Sequence, residues 1–335
     1  MTTCIAINGF GRIGRSVLRA WLAAPDRWPG LEIVAVNDIA GPEMAAYLFE
    51  YDSVFGRWPG RVREEPRALV IDGRRIGFTA EADWARLDLS GVDVVMECSG
   101  KTRERAAAEG LFAAGAGRVL VSGPCPDADY TVVLGANEAG LAPGQRVVSN
   151  ASCTTNALAP LAWLLDEAFG VETGFMTTVH CYTGSQPTVD APRGDFARSR
   201  AAALSMVPTT SSAERLADLV LPHLAGRIEG AAIRVPTASV SAVDLTVMTR
   251  KPASVAAVND LFRAAAEGPQ AHVFGVTDRP LVSSDLRAMP QSVIMALPET
   301  RVTAGGLLRV LGWYDNEWGF ANRMLDVAVI MGEQR

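Results

Sequence analysis

Cys4-Ile5-Ala6-Ile7-Asn8-Gly9-Phe10-Gly11-Arg12-Ile13-Gly14-Arg15 is the stretch on which the fold turns. Residues 4–8 are an apolar run of strand length and residues 15–24 carry a helical pattern, so the glycines sit where a strand passes into a helix. In that context the G-x-G-x-x-G spacing is a dinucleotide fingerprint. Glycine permits the tight turn and a close backbone approach, and the start of the helix then offers N–H groups and the positive end of its dipole to a pyrophosphate. Residues 31–36 form a second apolar strand ending at Asn37 and Asp38, which completes a βαβ unit. A carboxylate at that strand end accepts hydrogen bonds from ribose hydroxyls and repels a 2′-phosphate, so Asp38 points to NAD rather than NADP. An ordinary glycine turn with a surface aspartate is the competing, chemically silent reading.

Outward from this unit the alternation continues. Residues 92–97, 119–122 and 130–134 read as strands and the alanine-rich 103–114 as a helix, which predicts a parallel, doubly wound sheet. Farther on, residues 175–180, 233–235 and 240–249 read as strands and 255–266 as an amphipathic helix, which fits a second domain with an antiparallel or mixed sheet. Residues 181–212 carry Gly184, Pro187, Pro192, Gly194 and Pro208 without a regular period, and loops of such length are usually functional. A chain of 335 residues with 49% hydrophobic composition has apolar material for two cores. Lys+Arg 31 against Asp+Glu 37 leaves a net charge of -6, which argues against nucleic acid or an anionic membrane as partner. The longest uncharged stretch, residues 147–165, is broken by Ser149, Asn150, Thr154, Thr155, Asn156 and Pro160 and is too polar for a bilayer. The opening MTTCIAINGF lacks an export pattern, so a cytoplasmic protein with five reduced cysteines is expected, and no metal site.

A second constellation is Ser152-Cys153-Thr154-Thr155-Asn156, directly before an apolar helix over residues 157–168. Cys153 therefore stands at a helix N-terminus, where the dipole favours a thiolate and a nearby imidazole favours it further. Of the three histidines, His180 at the end of the strand Thr177-Thr178-Val179-His180 is the candidate partner. Each residue also has a bland reading, as a small core thiol and a hydrogen-bonded strand-end imidazole, and spacing alone does not pair them.

Four segments together carry a family likeness. Asn8-Gly9-Phe10-Gly11-Arg12-Ile13-Gly14-Arg15, Ala151-Ser152-Cys153-Thr154-Thr155-Asn156, Arg234-Val235-Pro236-Thr237 and Trp313-Tyr314-Asp315-Asn316-Glu317-Trp318-Gly319 resemble the signatures of phosphorylating glyceraldehyde-3-phosphate dehydrogenases, and the resemblance runs from end to end. It implies an α/β protein with an N-terminal Rossmann dinucleotide-binding domain over residues 1–152, onto which a C-terminal helix at about 316–335 packs back. An α+β catalytic domain with a mixed or antiparallel sheet is implied over residues 153–315. NAD would be held by Gly9, Phe10, Gly11, Arg12, Ile13, Gly14, Asp38, Ser122 and Asn316, the last orienting the nicotinamide amide. Cys153 would be the nucleophile that forms a hemithioacetal with an aldehyde and His180 the base, the resulting thioester being cleaved by inorganic phosphate. Ser152 and Thr154 flank the thiol, where the Cys153 N–H helps hold an oxyanion. Thr183 and Arg234 match a substrate-phosphate site, and Ser152, Arg198 and Ser211 an attacking-phosphate site. A homotetramer is implied as well, because in this family the 181–208 segment lines the adjoining subunit's cofactor cleft.

Some positions depart from the family pattern. Ala157 replaces a second cysteine four residues after the nucleophile, so oxidised Cys153 is expected to lack an intrahelical disulfide partner and to stop at sulfenic acid or a mixed disulfide. Ser211-Ser212 stands where Thr-Gly is common, which puts the backbone of the phosphate loop in question. Ala191-Pro192 keeps half of a Leu-Pro pair frequent in NAD-preferring relatives. Erythrose-4-phosphate dehydrogenase is the nearest rival, on Glu317-Trp318-Gly319-Phe320-Ala321-Asn322-Arg323, whereas Cys181-Tyr182-Thr183-Gly184-Ser185-Gln186 reads as the triose enzyme. A variant using arsenate would employ the same residues. A semialdehyde dehydrogenase is opposed by the motifs at Cys153 and 313–319. A non-catalytic partner-binding homologue is opposed by the retention of Cys153, His180 and Asp38.

Overall fold

Every residue of the strand Thr3–Asn8 except Cys4 is buried, as befits a strand covered on both faces. The computed structural model describes residues 2–334. They fall into two units, one of residues 2–132, 138–151 and 321–334, the other of residues 133–137 and 152–320.

In the first unit, Thr3–Asn8 is flanked by Leu31–Asn37 on one side and Val94–Glu97 on the other, both parallel to it. The strand order reverses here, and at such a switch point the crevice beyond the carboxyl ends of the strands is the ligand site of a doubly wound sheet. Arg118–Val121, Val147–Ser149 and Tyr130–Thr131 extend the sheet in parallel beyond Val94–Glu97. On the other flank the sheet departs from the all-parallel expectation. Arg74–Thr79 joins Leu31–Asn37 in parallel, but Ala68–Ile71 is antiparallel to both Arg74–Thr79 and Val62–Glu65. The reversal is made by Asp72-Gly73 at φ +50 and +84, the left-handed pair that a two-residue hairpin turn of matching twist demands.

The helix expected over residues 103–114 is also corrected. It is reduced to a 3-10 turn, Arg105–Ala108, and a short helix, Glu109–Ala113. The alanine-rich composition favours a helix, but the Arg105 N–H is taken by Asp127 Oδ1 and its guanidinium by Asp129, which holds the first turn out of register. The strand expected over 130–134 shortens to Tyr130–Thr131, because Asn137 Oδ1 accepts the Val133 N–H and turns the chain. The first unit also contains residues 321–333 of the helix Trp318–Glu333. There Asp326 Oδ1 accepts from Trp28 Nε1 at 2.6 Å, and Met331 O accepts from Arg118 Nη1 at 2.7 Å. A side chain at Gly332 would lie 2.2 Å from Thr3 Oγ1, so glycine lets this helix touch the central strand's start.

The second unit is built on an eight-stranded mixed sheet ordered Val207–Thr209, Ile228–Val235, Val171–Cys181, Ser241–Thr249, Leu308–Tyr314, Val293–Ala296 and Phe274–Thr277, with Arg301–Val302 paired to Leu308–Tyr314. The helix Cys153–Phe169 is buried on nearly every side through its middle, which explains the apolar run from Ala157 to Leu165. Gly170 ends it at φ +72, a left-handed position open to glycine at little cost.

Candidate active site

The candidate nucleotide site lies in the first unit and is a matter of three glycines. Gly9 takes φ +93, and a side chain there would lie 2.4 Å from the Ser99 N. One at Gly14 would lie 2.2 Å from Gly9 O, whereas at Gly11 nothing stands within 4 Å. Gly9 therefore makes the turn, Gly14 lets the helix pack on the strand, and Gly11 leaves open space for a phosphate group. The helix Arg12–Ala23 has Gly11 as its N-cap and no capping side chain, so its dipole end is presented to whatever fills that space. Asp38 Oδ2 accepts the Phe10 N–H at 2.6 Å and Oδ1 the Ala40 N–H at 2.9 Å, which fixes the carboxylate at the rim of a pocket lined by Asn8, Gly9, Gly11, Asn37, Glu81, Trp84, Ser99 and Lys101. These residues fit a dinucleotide. Arg12 spends its side chain on an ion pair with Asp52, leaving only its backbone for a cofactor. Ile13 lies in the first turn of the same helix. Ser122, at the end of Arg118–Val121, donates its N–H to Glu97 O and lines a neighbouring pocket with Thr102 and Arg103. Glu81, Trp84, Ser99 and Lys101 escaped sequence reading because they come from separate loops that only the sheet brings together.

The thiol lies in the second unit. The chain enters the helix Cys153–Phe169 through Ala151 at φ +56, a strained conformation for a residue with a side chain. Ser152 is the N-cap, its Oγ accepting the Thr155 N–H at 3.1 Å. Cys153 is thus the first helical residue, and its Sγ lies 3.6 Å from His180 Nε2. His180 reaches it from the end of Val171–Cys181, where it faces Arg234 across a parallel pairing.

Arg234 Nη1 lies 2.6 Å from His180 Nδ1 and donates to Cys181 O at 3.1 Å, and Nδ1 is itself 2.7 Å from Cys181 O. A neutral imidazole carries a single N–H, so Nδ1 either accepts from Arg234 or donates to Cys181 O. Only the second choice leaves the Nε2 lone pair facing the sulfur. Burial, and then the Arg234 charge, push the His180 pKa down to about 4, so the ring is neutral. Burial pushes the Cys153 thiol up, with Arg234 opposing. The resting pair is therefore thiol and imidazole rather than an ion pair.

Tyr314 was not singled out by sequence, yet it organises this corner. Thr178 donates to Ala242 O at 3.0 Å, so it accepts from Tyr314 OH at 2.7 Å, and Tyr314 in turn accepts from Thr154 at 2.9 Å. The ring stands edge-on to His180 with centroids 6.0 Å apart. The Thr154 hydroxyl is thereby spent on Tyr314. Thr178 and His180 sharing one face of a strand, and the place of Tyr314 in the segment Trp313–Gly319, were the available signals.

A second cluster holds Arg198, whose Nε donates to Thr209 Oγ1 at 2.5 Å and whose Nη2 donates to Thr210 O at 3.3 Å. Ser211 Oγ accepts the Ala213 N–H at 3.0 Å. Ser212 sits at φ -88, a region any residue adopts, so the loop does not require glycine there. Thr183 pairs with Ser185 at 2.9 Å. Asn316 Oδ1 accepts from the Cys181 thiol at 3.0 Å.

Residues 3–105 match the family model described as glyceraldehyde 3-phosphate dehydrogenase, NAD binding domain, and residues 152–316 match the C-terminal domain of the same family. Glyceraldehyde-3-phosphate dehydrogenase of Cereibacter sphaeroides is 49% identical over 334 residues, covering 99% of both chains. The Xanthobacter flavus protein of that name is 48% identical over 335 residues, again 99% of both, and that of Pseudomonas aeruginosa 46% over 340 residues and the whole of both. The glycine turn that admits a dinucleotide lies within the first matched segment, Cys153 and the strand-end His180 lie within the second, and the chain belongs to the NAD-dependent glyceraldehyde-3-phosphate dehydrogenase family of oxidoreductases.

Proposed function

We propose that the protein oxidises D-glyceraldehyde 3-phosphate to 1,3-bisphosphoglycerate, with inorganic phosphate as second substrate. The observation that carries this reading is the Cys153–His180 pair at 3.6 Å with Arg234 on its far side. Cys153 Sγ adds to the aldehyde carbon, its proton passing to His180 Nε2 and from there to the former carbonyl oxygen, which gives a hemithioacetal and leaves the imidazole neutral again. NAD, when bound, supplies the acceptor for the hydride that leaves this carbon. His180 takes the hydroxyl proton as the carbonyl reforms, and the product on sulfur is a thioester. Phosphate oxygen then attacks the thioester carbon, the C–S bond breaks, and the thiolate and an acyl phosphate are released. The substrate's own phosphate is assigned to Arg234 and Thr183, and the attacking phosphate to Arg198, Ser211 and Ser152. An anion that draws Arg234 off Nδ1 leaves Nδ1–H on Cys181 O and turns the Nε2 lone pair to the thiol, so binding the phosphorylated substrate arms the base.

Assembly as a homotetramer belongs to this reading. It is supported by the apolar side chains that residues 181–212 expose, Phe196 at 99% and Leu204 at 83% with Val189 and Met206 beside them in sequence. No helix among the described residues is long and apolar enough to cross a membrane, and the reading places the enzyme in the cytoplasm. NADH formation by the purified protein with glyceraldehyde 3-phosphate and with erythrose 4-phosphate, each with and without phosphate, tests it as kcat/KM. Preference for the triose with dependence on phosphate upholds the proposal. Preference for the tetrose moves the enzyme to the erythrose-4-phosphate branch, and indifference to phosphate overturns the assignment of Arg198 and Ser211.

A further inference from the structure

The side-chain oxygen of Asn316 is held by two donors. Cys181 Sγ donates to Oδ1 at 3.0 Å, and Ser241 Oγ reaches the same atom at 3.5 Å. Ser241 Oγ already accepts the Cys181 N–H at 3.1 Å, which leaves its hydroxyl proton for Asn316. Exchange of the amide oxygen and nitrogen would make the thiol and the hydroxyl turn about and accept instead, a weak role for sulfur, so the two donors bias the amide toward Oδ1 on their side with Nδ2 turned away from both. The topology makes the meeting possible: Ser241 pairs with Tyr314 across adjacent strands, and Asn316 follows two residues later. All three residues are buried, Cys181 completely, so water does not replace a lost donor cheaply. Burial pushes the Cys181 thiol up to about 12, and it keeps its proton, hence its role as donor, throughout the neutral range.

We propose that Cys181 is a positioning residue that, with Ser241, fixes the Asn316 amide so that Nδ2 is offered to the carbonyl oxygen of the nicotinamide carboxamide and sets which ring face receives the hydride. This rests on the reading of Asn316 as the residue that orients the nicotinamide. Freed of its thiol donor, the amide rotates between two orientations, only one of which presents an N–H to that carbonyl.

The test uses aldehyde substrate deuterated at C1, with the position of the label in the reduced cofactor read by NMR. Cys181→Ala is expected to raise KM for NAD about fivefold, the worth of one hydrogen bond, and to send a measurable share of deuterium to the opposite face. KM for the aldehyde should stay close to wild type, and Cys181→Ser should restore a single face. Ser241→Ala, which removes the second donor, should blur the label in the same way and keeps the test alive should Cys181→Ala fold poorly. Equal defects in Cys181→Ser and Cys181→Ala would overturn the proposal in favour of simple packing. Wild-type KM and label purity in Cys181→Ala and Ser241→Ala, alongside loss of both in Asn316→Ala, would overturn it while sparing the Asn316 reading. Wild-type behaviour of Asn316→Ala would remove both.

Discussion

At the scale of single residues the proposed chemistry rests on Cys153 and His180, and each makes a separable prediction. Cys153→Ser leaves a hydroxyl that the imidazole cannot deprotonate appreciably at neutral pH, so turnover should fall below detection while NAD binding, followed by quenching of tryptophan fluorescence, persists. Full activity in that variant would end the thioester mechanism. His180 is held neutral in the fold, with a pKa lowered to about 4 from 6.5, so the unfolded chain binds its proton first as the pH falls. The sign follows: stability from this group is complete above pH 6.5 and is lost progressively down to about pH 4, by at most about 3 kcal/mol. The difference in unfolding free energy between wild type and His180→Asn, measured from pH 7 to pH 4.5, should narrow by an amount approaching that bound. A constant difference would mean that the imidazole is not held neutral. Both candidates were legible in sequence, the cysteine from its place at a helix N-terminus and the histidine from its strand end. Their pairing was not, because 27 residues of chain separate them and only the sheet register with Arg234 fixes where the imidazole points.

At the scale of elements, what was readable was what is local. Strand, glycine turn and helix at residues 3–23 follow from a contiguous pattern, and the observed helix starts at Arg12 because Gly11 caps it. Residues 103–114 misled for a physical reason, since the alanine pattern is overruled by Asp127 and Asp129, which lie over 20 residues away. The antiparallel strands at 62–79 went unread although Asp72-Gly73 is a hairpin signal, because the flanking Val62–Glu65 is short and largely charged. The glycine turn yields the element-scale prediction. Gly14→Ala would put a methyl 2.2 Å from Gly9 O, where the partner is backbone and has little room to yield. The helix should be pushed off the strand at a cost of about 1–3 kcal/mol in stability, with at least a tenfold rise in Kd for NAD. Gly11→Ala, whose methyl meets nothing within 4 Å, should leave stability nearly unchanged yet still weaken NAD by crowding the phosphate. Calorimetric titration alongside thermal unfolding separates the two, and equal destabilisation by both would refute this division of labour.

The whole molecule presents a difficulty that a single chain does not resolve by itself. Phe196 is 99% exposed, with Val189, Leu204 and Met206 also uncovered, and on the second unit's sheet Phe175 and Val179 turn outward from the strand whose inward residues, Thr178 and His180, line the candidate site. Apolar side chains repeated along one segment and one sheet face exceed the scattered exposure normal for a soluble surface. The proposed symmetric assembly would cover them with copies of themselves, so each residue would count at least twice per interface. Burying one such aromatic is worth about 1.5–3 kcal/mol, so Phe196→Glu should weaken association by about 3–6 kcal/mol, or roughly 10²–10⁴ in the dissociation constant. Light scattering during gel filtration should find wild type at four times the 35.6 kDa chain mass and Phe196→Glu in smaller species. Because residues 181–212 also carry Arg198 and lead directly from His180 and Thr183, loss of assembly should loosen this segment and lower kcat/KM for phosphate more than for NAD. A wild-type protein that runs as an active monomer at micromolar concentration would show that these side chains serve something other than self-association.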